Sequence, residues 1–217
     1  MSDNLYQKSH MAHLSQLKDL APEQMQAFSA FDEAVLKEGA LTKKEKEIIA
    51  VSVAHVTECP YCIHSHTRNA KAEGASLEEL TEAVFVVAAL EAGGVVTHST
   101  HIHNAKNEEA EDELYTRSNL KRLGNLGKHA PEGFKGYSEF NTVAMKAGKL
   151  SAKFKEIIGV AVAHATQCPY CIDVHTKNAD KAGATDEELA EAVLVSSALR
   201  AGGAYAHMAN MIESYGE

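Results

Sequence analysis

The sequence predicts an all-α protein made of two tandem helical repeats, and three observations carry that prediction. Residue n matches residue n+109 without a gap from Leu14/Leu123 through Pro22/Pro131 to His98/His207, and 35 of 58 positions are identical between 41–98 and 150–207. Similarity at a fixed internal spacing marks a repeated structural unit. The apolar stretches run for about fifteen residues with Pro at their starts and Gly at their ends, which suits buried helices better than strands, although their Ile and Val content also permits a strand. Finally, 45% hydrophobic content in 217 residues builds a core without disulfide staples.

The elements follow in order. Pro22 opens an amphipathic helix that Gly39 ends, and Pro131 to Gly148 repeats it. Thr42-x-x-Glu45 reads as a capping box, starting a helix that runs to about Thr57; Ser151 to Thr166 is its copy. Pro60, at the first helical position after Cys59, begins a helix closed by Gly74, and Pro169 and Gly183 do the same in the second copy. Ser76-x-x-Glu79 and Thr185-x-x-Glu188 start another helix, which Gly93-Gly94 and Gly202-Gly203 are expected to stop before one last helix. The predicted division is a first repeat over 14–103, a charged, partly helical connector over 104–122, and a second repeat over 123–217.

Composition excludes several function classes. Thirty acids against twenty-one bases give a formal charge of −9, and no Lys/Arg stripe forms, so neither nucleic acid nor an anionic membrane is an expected partner. The first twenty residues lack an apolar signal region and no run approaches the roughly 18 apolar residues of a membrane span, so a cytoplasmic location is expected. Four cysteines in an acidic chain of this length do not make a secreted scaffold; their placement carries the information.

KEIIAVSVAHVTECPYCIHSHTRNA in the first half reads against KEIIGVAVAHATQCPYCIDVHTKNA in the second. Glu47, His55, Cys59, Cys62 and His66 persist as Glu156, His164, Cys168, Cys171 and His175, while neighbours such as His64/Asp173 and Ser65/Val174 do not. A shared local requirement explains that better than a fresh duplication, which would have spared the neighbours too.

Cysteines at i and i+3 on a first helical turn have Cα atoms roughly 5–6 Å apart, a separation that a disulfide spans. His66 and His175, four residues beyond the second cysteine, lie on its helix face. Counting at 1.5 Å per residue across an antiparallel hairpin brings Glu47 level with His66 to within about 4–5 Å, and puts His55 and His164 near the turn. An unperturbed thiol is only about 3% thiolate at pH 7, and a helix N-terminus lowers its pKa by less than about one unit; a histidinium held by a carboxylate adds a unit or two. Cys62 and Cys171 are then the attacking thiols and Cys59 and Cys168 the resolving ones.

Each feature has an alternative reading. The cysteines with His66 and His175 supply three zinc ligands, though no fourth is evident. Glu47 fits a solvated KKEKE run, a reading weaker for Glu156 in KFKE. His55 and His164 suit backbone-bonded core positions equally well. His98, His101 and His103 invite a metal, but only His98 has a counterpart, His207, which favours helix-surface histidines. Tyr61 and Tyr170 either line a pocket or pack.

Glu, twelve residues, C-x-x-C-x-x-x-H, then A-G-A-[ST]-x-E-E-L and an Ala-Gly-Gly helix start together resemble the carboxymuconolactone decarboxylase superfamily, more narrowly its alkylhydroperoxidase D-like branch. The resemblance is close over 41–98 and 150–207. It implies an all-helical pseudo-dimer; attack by Cys62 and Cys171; resolution by Cys59 and Cys168; and proton relay through Glu47 with His66 and Glu156 with His175, His55 and His164 supporting. It implies redox-active disulfides and no cofactor, with a hydroperoxide or peroxiredoxin-type disulfide as oxidant and a lipoyl-type or protein dithiol as reductant. Assembly is implied as a homo-oligomer, three copies giving a pseudo-hexamer. Decarboxylase members lack the cysteine pair, so decarboxylation and a zinc-binding assembly protein stand as the alternatives.

Overall fold

In the computed structural model, which describes residues 6–106 and 113–216, no strand forms among the described residues. A 3-10 helix (Lys8–Gln16) leads into α1 (Leu17–Leu20), α2 (Pro22–Leu36), α3 (Lys43–Val56), α4 (Pro60–Ala72), α5 (Leu77–His98) and α6 (Thr100–Ala105). A second 3-10 helix (Arg117–Arg122) leads into α7 (Leu123–His129), α8 (Pro131–Met145), α9 (Ala152–Ala165), α10 (Pro169–Lys181) and α11 (Asp186–Gly216). The connector is thus helical at both ends, and its residues 107–112 lie outside the described part.

α3 and α9 pack on each other at the centre, each also covered by the long helix of the other half, α11 on α3 and α5 on α9. That position explains their β-branched runs. Ile48, Ile49, Val51 and Val53 of α3 and Ile157, Ile158, Val160 and Val162 of α9 are no more than 2% exposed, so these helices are apolar around most of their circumference because they are surrounded.

The predicted ends hold at α3, α4, α5 and α10. Thr42 with Glu45 and Ser76 with Glu79 form reciprocal capping boxes, and Thr185 with Glu188 makes the same two bonds ahead of α11. Gly74 and Gly183 take φ of 84° and 86°, the left-handed conformation after a helix end that favours glycine. Ala75 N–H then reaches the Ala70 carbonyl at 2.9 Å, and Ala184 N–H the Ala179 carbonyl at 2.9 Å.

The glycine pairs behave differently from expectation. α5 runs through Gly93-Gly94 and α11 through Gly202-Gly203, because none of the four has positive φ and apolar packing on both sides outweighs the roughly 1 kcal/mol that glycine costs inside a helix. Gly93 serves close approach instead: a Cβ there would stand 2.9 Å from the Tyr137 hydroxyl. One consequence bears on the membrane expectation. The segment 77–102 reaches a mean hydropathy of 1.6 and is long enough to span a bilayer by composition alone; the fold uses α5 as a core helix against α3, α8 and α9.

Gly39 likewise does not close α2, which ends at Leu36. It leaves room for a carboxylate from the other half. Glu191 of α11 accepts from Ala40 N–H at 2.9 Å and Leu41 N–H at 2.8 Å and pairs with Lys46 at 3.2 Å. Reciprocally, Glu82 of α5 accepts from Lys149 N–H at 2.7 Å and Leu150 N–H at 3.1 Å, pairs with Lys155 at 3.0 Å, and occupies the space beside Gly148. Both lysines are 3% exposed, and each ammonium also donates to carbonyls at the end of the preceding helix. The two halves are pinned at two matched points.

Burial alone would raise both carboxyls, but the backbone N–H groups, followed by the lysines, hold them below their usual 4.5. A carboxylate held low stabilises the fold above its unfolded pKa and loses that contribution as pH falls through its folded value. Glu82→Gln and Glu191→Gln should each cost about 1–3 kcal/mol at neutral pH, and guanidinium denaturation should show the deficit shrinking in acid. A deficit independent of pH contradicts the pairing.

Candidate active site

The cysteine turn is built the same way twice. Glu58 and Gln167 adopt left-handed φ of 53° and 58°, a conformation costing a non-glycine residue about 1–2 kcal/mol. It reverses the chain, so Cys59 N–H bonds the Ala54 carbonyl and Cys168 N–H the Ala163 carbonyl. Each first cysteine becomes the N-cap of the next helix. Cys59 Sγ accepts from Cys62 N–H at 3.2 Å, and Cys168 Sγ from Cys171 N–H at 3.3 Å, with Pro60 and Pro169 following as predicted.

Glu47 and His66 meet across the hairpin as the spacing predicts: His66 Nδ1 donates to Glu47 Oε2 at 2.8 Å, and His175 Nδ1 to Glu156 Oε2 at 2.7 Å. Glu47 is 5% exposed, which overturns the solvated-run reading. Asn69 and Asn178 donate to the other carboxylate oxygen at 3.3 and 3.4 Å. Sequence reasoning missed them, though both stand three residues after the histidine in each copy. With Nδ1 committed to the carboxylate, Nε2 is left to exchange protons.

Cys59 and Cys62 are joined as a disulfide with Cα atoms 5.3 Å apart. Cys168 and Cys171 are thiols whose sulfurs share a hydrogen bond at 2.6 Å. That bond, with the Cys171 N–H, the Thr97 hydroxyl at 3.7 Å and the charge of His98, outweighs burial and lowers Cys168 from its usual 9.0 to about 5. The neighbouring Cys168 sulfur, then burial, push Cys171 up. The contact therefore favours ionisation of the N-capping sulfur over that of the sulfur expected to attack.

Access distinguishes the sulfurs in the other sense. Cys171, with Glu156 and His175, lines a cavity of about 530 Å³ that Cys168 does not line. Its far wall comes from the other repeat through Leu90, Gly93 and Thr97 of α5, while Tyr137 and Asn141 of α8 close the side. Burial and the two cysteine sulfurs raise the Tyr137 phenol. Thr97 and Tyr137 were illegible in the sequence, since their first-offset partners are Ala206 and Phe28 and nothing local aims them at a site.

The remaining candidates divide. His55 and His164 donate Nδ1 to their own helix, to the Val51 and Val160 carbonyls at 2.8 Å each. His55 faces a separate apolar cavity beside Leu77 and Phe85, so these are the backbone-bonded histidines, not partners of the sulfurs. His98 is not a free surface residue: its Nε2 is buried, as is that of His207. His98 sits 5.9 Å from the Tyr170 ring and His207 6.1 Å from Tyr61, each histidine crossing to the other repeat's hairpin. Tyr61 donates to Asn210 at 2.8 Å and Tyr170 accepts from Asn119 at 2.7 Å. Among the described residues no three His, Cys, Asp or Glu side chains are grouped to hold a metal, so the zinc reading finds no site there; the side chain of His103 lies outside the described part.

The carboxymuconolactone decarboxylase family model matches twice, over residues 22–105 and 131–214. The chain belongs to this family. Uncharacterized protein 4 of the cox locus of Paracoccus denitrificans is 47% identical over 73 residues, 34% of this chain and 66% of that protein, so the chain spans just under two thirds of that relative. An uncharacterized protein of Haemophilus influenzae is 39% identical over 95 residues, 44% of this chain and 84% of that protein. A crystal structure of a proposed gamma-carboxymuconolactone decarboxylase subunit from Burkholderia xenovorans LB400 superposes with a TM-score of 0.70 at 22% identity, covering 96% of this chain and 95% of that one, which shows the shared fold. Both family matches enclose a complete Glu, Cys, Cys and His set; the leading 3-10 helices fall outside them.

Thiolate absorbance of the reduced Cys59→Ser, Cys62→Ser chain should show one sulfur titrating near pH 5, and adding Cys168→Ser should remove that step. A first thiol titration at the ordinary value of about 8.5 contradicts the assignment.

Proposed function

We propose that this family member is an alkylhydroperoxidase D-like thiol oxidoreductase that reduces hydroperoxides at each Cys-x-x-Cys pair. The observation that carries the reading is the grouping of the Cys171 sulfur and the His175–Glu156 pair on one cavity, with the Cys168 sulfur 2.6 Å behind. Access selects Cys171 as attacking sulfur, and Cys62 by the repeat. As Cys171 attacks, the proton it shares moves along the sulfur–sulfur contact to Cys168. Its thiolate takes one peroxide oxygen, the O–O bond breaks, and the departing alkoxide takes a proton from the imidazolium of His175. Neutral His175 then accepts the Cys168 proton, and the Cys168 thiolate displaces hydroxide from the sulfenic acid. That hydroxide leaves as water with the proton held on His175. The pair ends as a disulfide, oxidised by two electrons.

A lipoyl-type or protein dithiol resets the site by two thiol–disulfide exchanges, which suits a reducing cytoplasm. Because Cys171 is 5% exposed, a small hydroperoxide fits as oxidant better than a peroxiredoxin-type disulfide, and by the same limit a lipoyl-type dithiol fits as reductant better than a protein dithiol. Phe85 and Leu194, at equivalent positions and 55% and 48% exposed, support self-association of the chain, with three copies as the expected assembly.

Turnover is the test. Cys62→Ser with Cys171→Ser should abolish hydroperoxide consumption with a dithiol donor. Glu47→Gln with Glu156→Gln should slow it about 100-fold, the scale of lost general acid–base assistance. Parental rates in either double variant contradict the reading.

A further inference from the structure

The two sites are not copies of one another. Asn141 lines the Cys171 cavity; the residue 109 positions earlier is Asp32. Asp32 faces the first site, within electrostatic reach of His66 and Glu47, and also of Tyr205 from the other repeat. Where Tyr137 stands at the second site, Phe28 stands at the first, and its ring stacks 4.7 Å from that of Tyr205, whose counterpart 109 positions earlier is Val96. The first site therefore carries one more carboxylate than the second and a broader aromatic wall, on an otherwise matched set of Glu, His, Asn and cysteines.

We infer that Asp32 makes the first site a filter against anionic substrates, whereas the Asn141 site admits them, so that one chain handles neutral and carboxylate-bearing hydroperoxides at separate centres. Asp32 is half-buried on α2 within electrostatic reach of the carboxylate–imidazole pair, so water screens its charge less than on an open surface. Burial raises its pKa, His66 opposes that and the neighbouring carboxylate adds to it, so the charge difference between the sites grows as pH rises. A full charge in such a place changes the local concentration of a monoanion by about tenfold. A lysine follows each site at the same offset, Lys37 and Lys146, so it cancels from the comparison. The substrate half of this inference rests on the peroxidatic reading above; the charge difference does not.

The test separates the two. The fully reduced chain is treated in mildly alkaline solution with iodoacetamide, which is neutral, or iodoacetate, which is anionic, and alkylation of Cys62 and Cys171 is followed peptide by peptide. The acetate-to-amide rate ratio should be about tenfold lower at Cys62. Asp32→Asn should lift it to the Cys171 value, and Asn141→Asp should depress the Cys171 ratio. Equal ratios, or ratios that the exchanges leave unmoved, overturn the filter. In parallel, Cys168→Ser with Cys171→Ser leaves the first site, and Cys59→Ser with Cys62→Ser the second. Each is assayed with a neutral alkyl hydroperoxide and a fatty-acid hydroperoxide. The first site should favour the neutral substrate by about tenfold more than the second does. If the alkylation ratios differ while neither chain consumes either hydroperoxide, the charge filter stands and its peroxidatic use is refuted.

Discussion

A buried carboxylate on one helix holds an imidazole on the next, and the chemistry of each half depends on that bond. Glu47 and Glu156 are the charges on the central helices α3 and α9 that face the sites, and leaving either unpaired so deep would cost several kcal/mol. Pairing with His66 and His175 resolves that cost and fixes which imidazole nitrogen stays free. The bond also sets the register of the hairpin. If the helix carrying the cysteines slipped by one residue, the imidazole would leave the carboxylate and the second cysteine would turn from the cavity. The strained turn at Glu58 and Gln167 persists because the structure on both sides over-determines it.

The second constraint is reciprocity between halves. Neither repeat completes its own site. The long helix of each supplies the far wall, a histidine (His98 or His207) packed on the other hairpin's tyrosine and, through Glu82 or Glu191, the clasp on the other half's loop. Such exchange makes an intrachain pseudo-dimer from units whose separate cores would leave α3 and α9 half bare. It also releases the copies from identity: once both sit in one chain, the wall of one can diverge from the wall of the other while the reacting groups stay fixed. Asp32 and Asn141, or Phe28 and Tyr137, are the product of that freedom.

What was legible in the sequence was local. Helix starts were readable because capping depends on residues three apart, and the Glu, Cys, Cys and His set because its spacing spans one hairpin. The glycine pairs misled: the chain shows only that glycine permits a break, and packing along α5 and α11 decided against one. His98 misled for a related reason, since whether a histidine is at a surface depends on what crosses it, here the Tyr170 hairpin of the other repeat. Thr97 and Tyr137 carried no signal, because they reach the site from elements distant in sequence and differ between copies. The lowered pKa of Cys168 followed first from its contact with the Cys171 sulfur, which only coordinates supply.

The account stands on a dithiol that hydroperoxide converts to a disulfide in a single encounter. Mixing the fully reduced chain with a limiting amount of an alkyl hydroperoxide, without any donor, and counting thiols lost against alcohol formed tests this most directly. Two thiols should disappear for each alcohol released, with the lost thiols recovered as Cys59–Cys62 and Cys168–Cys171 disulfides. Thiols that persist while the hydroperoxide remains intact would contradict it.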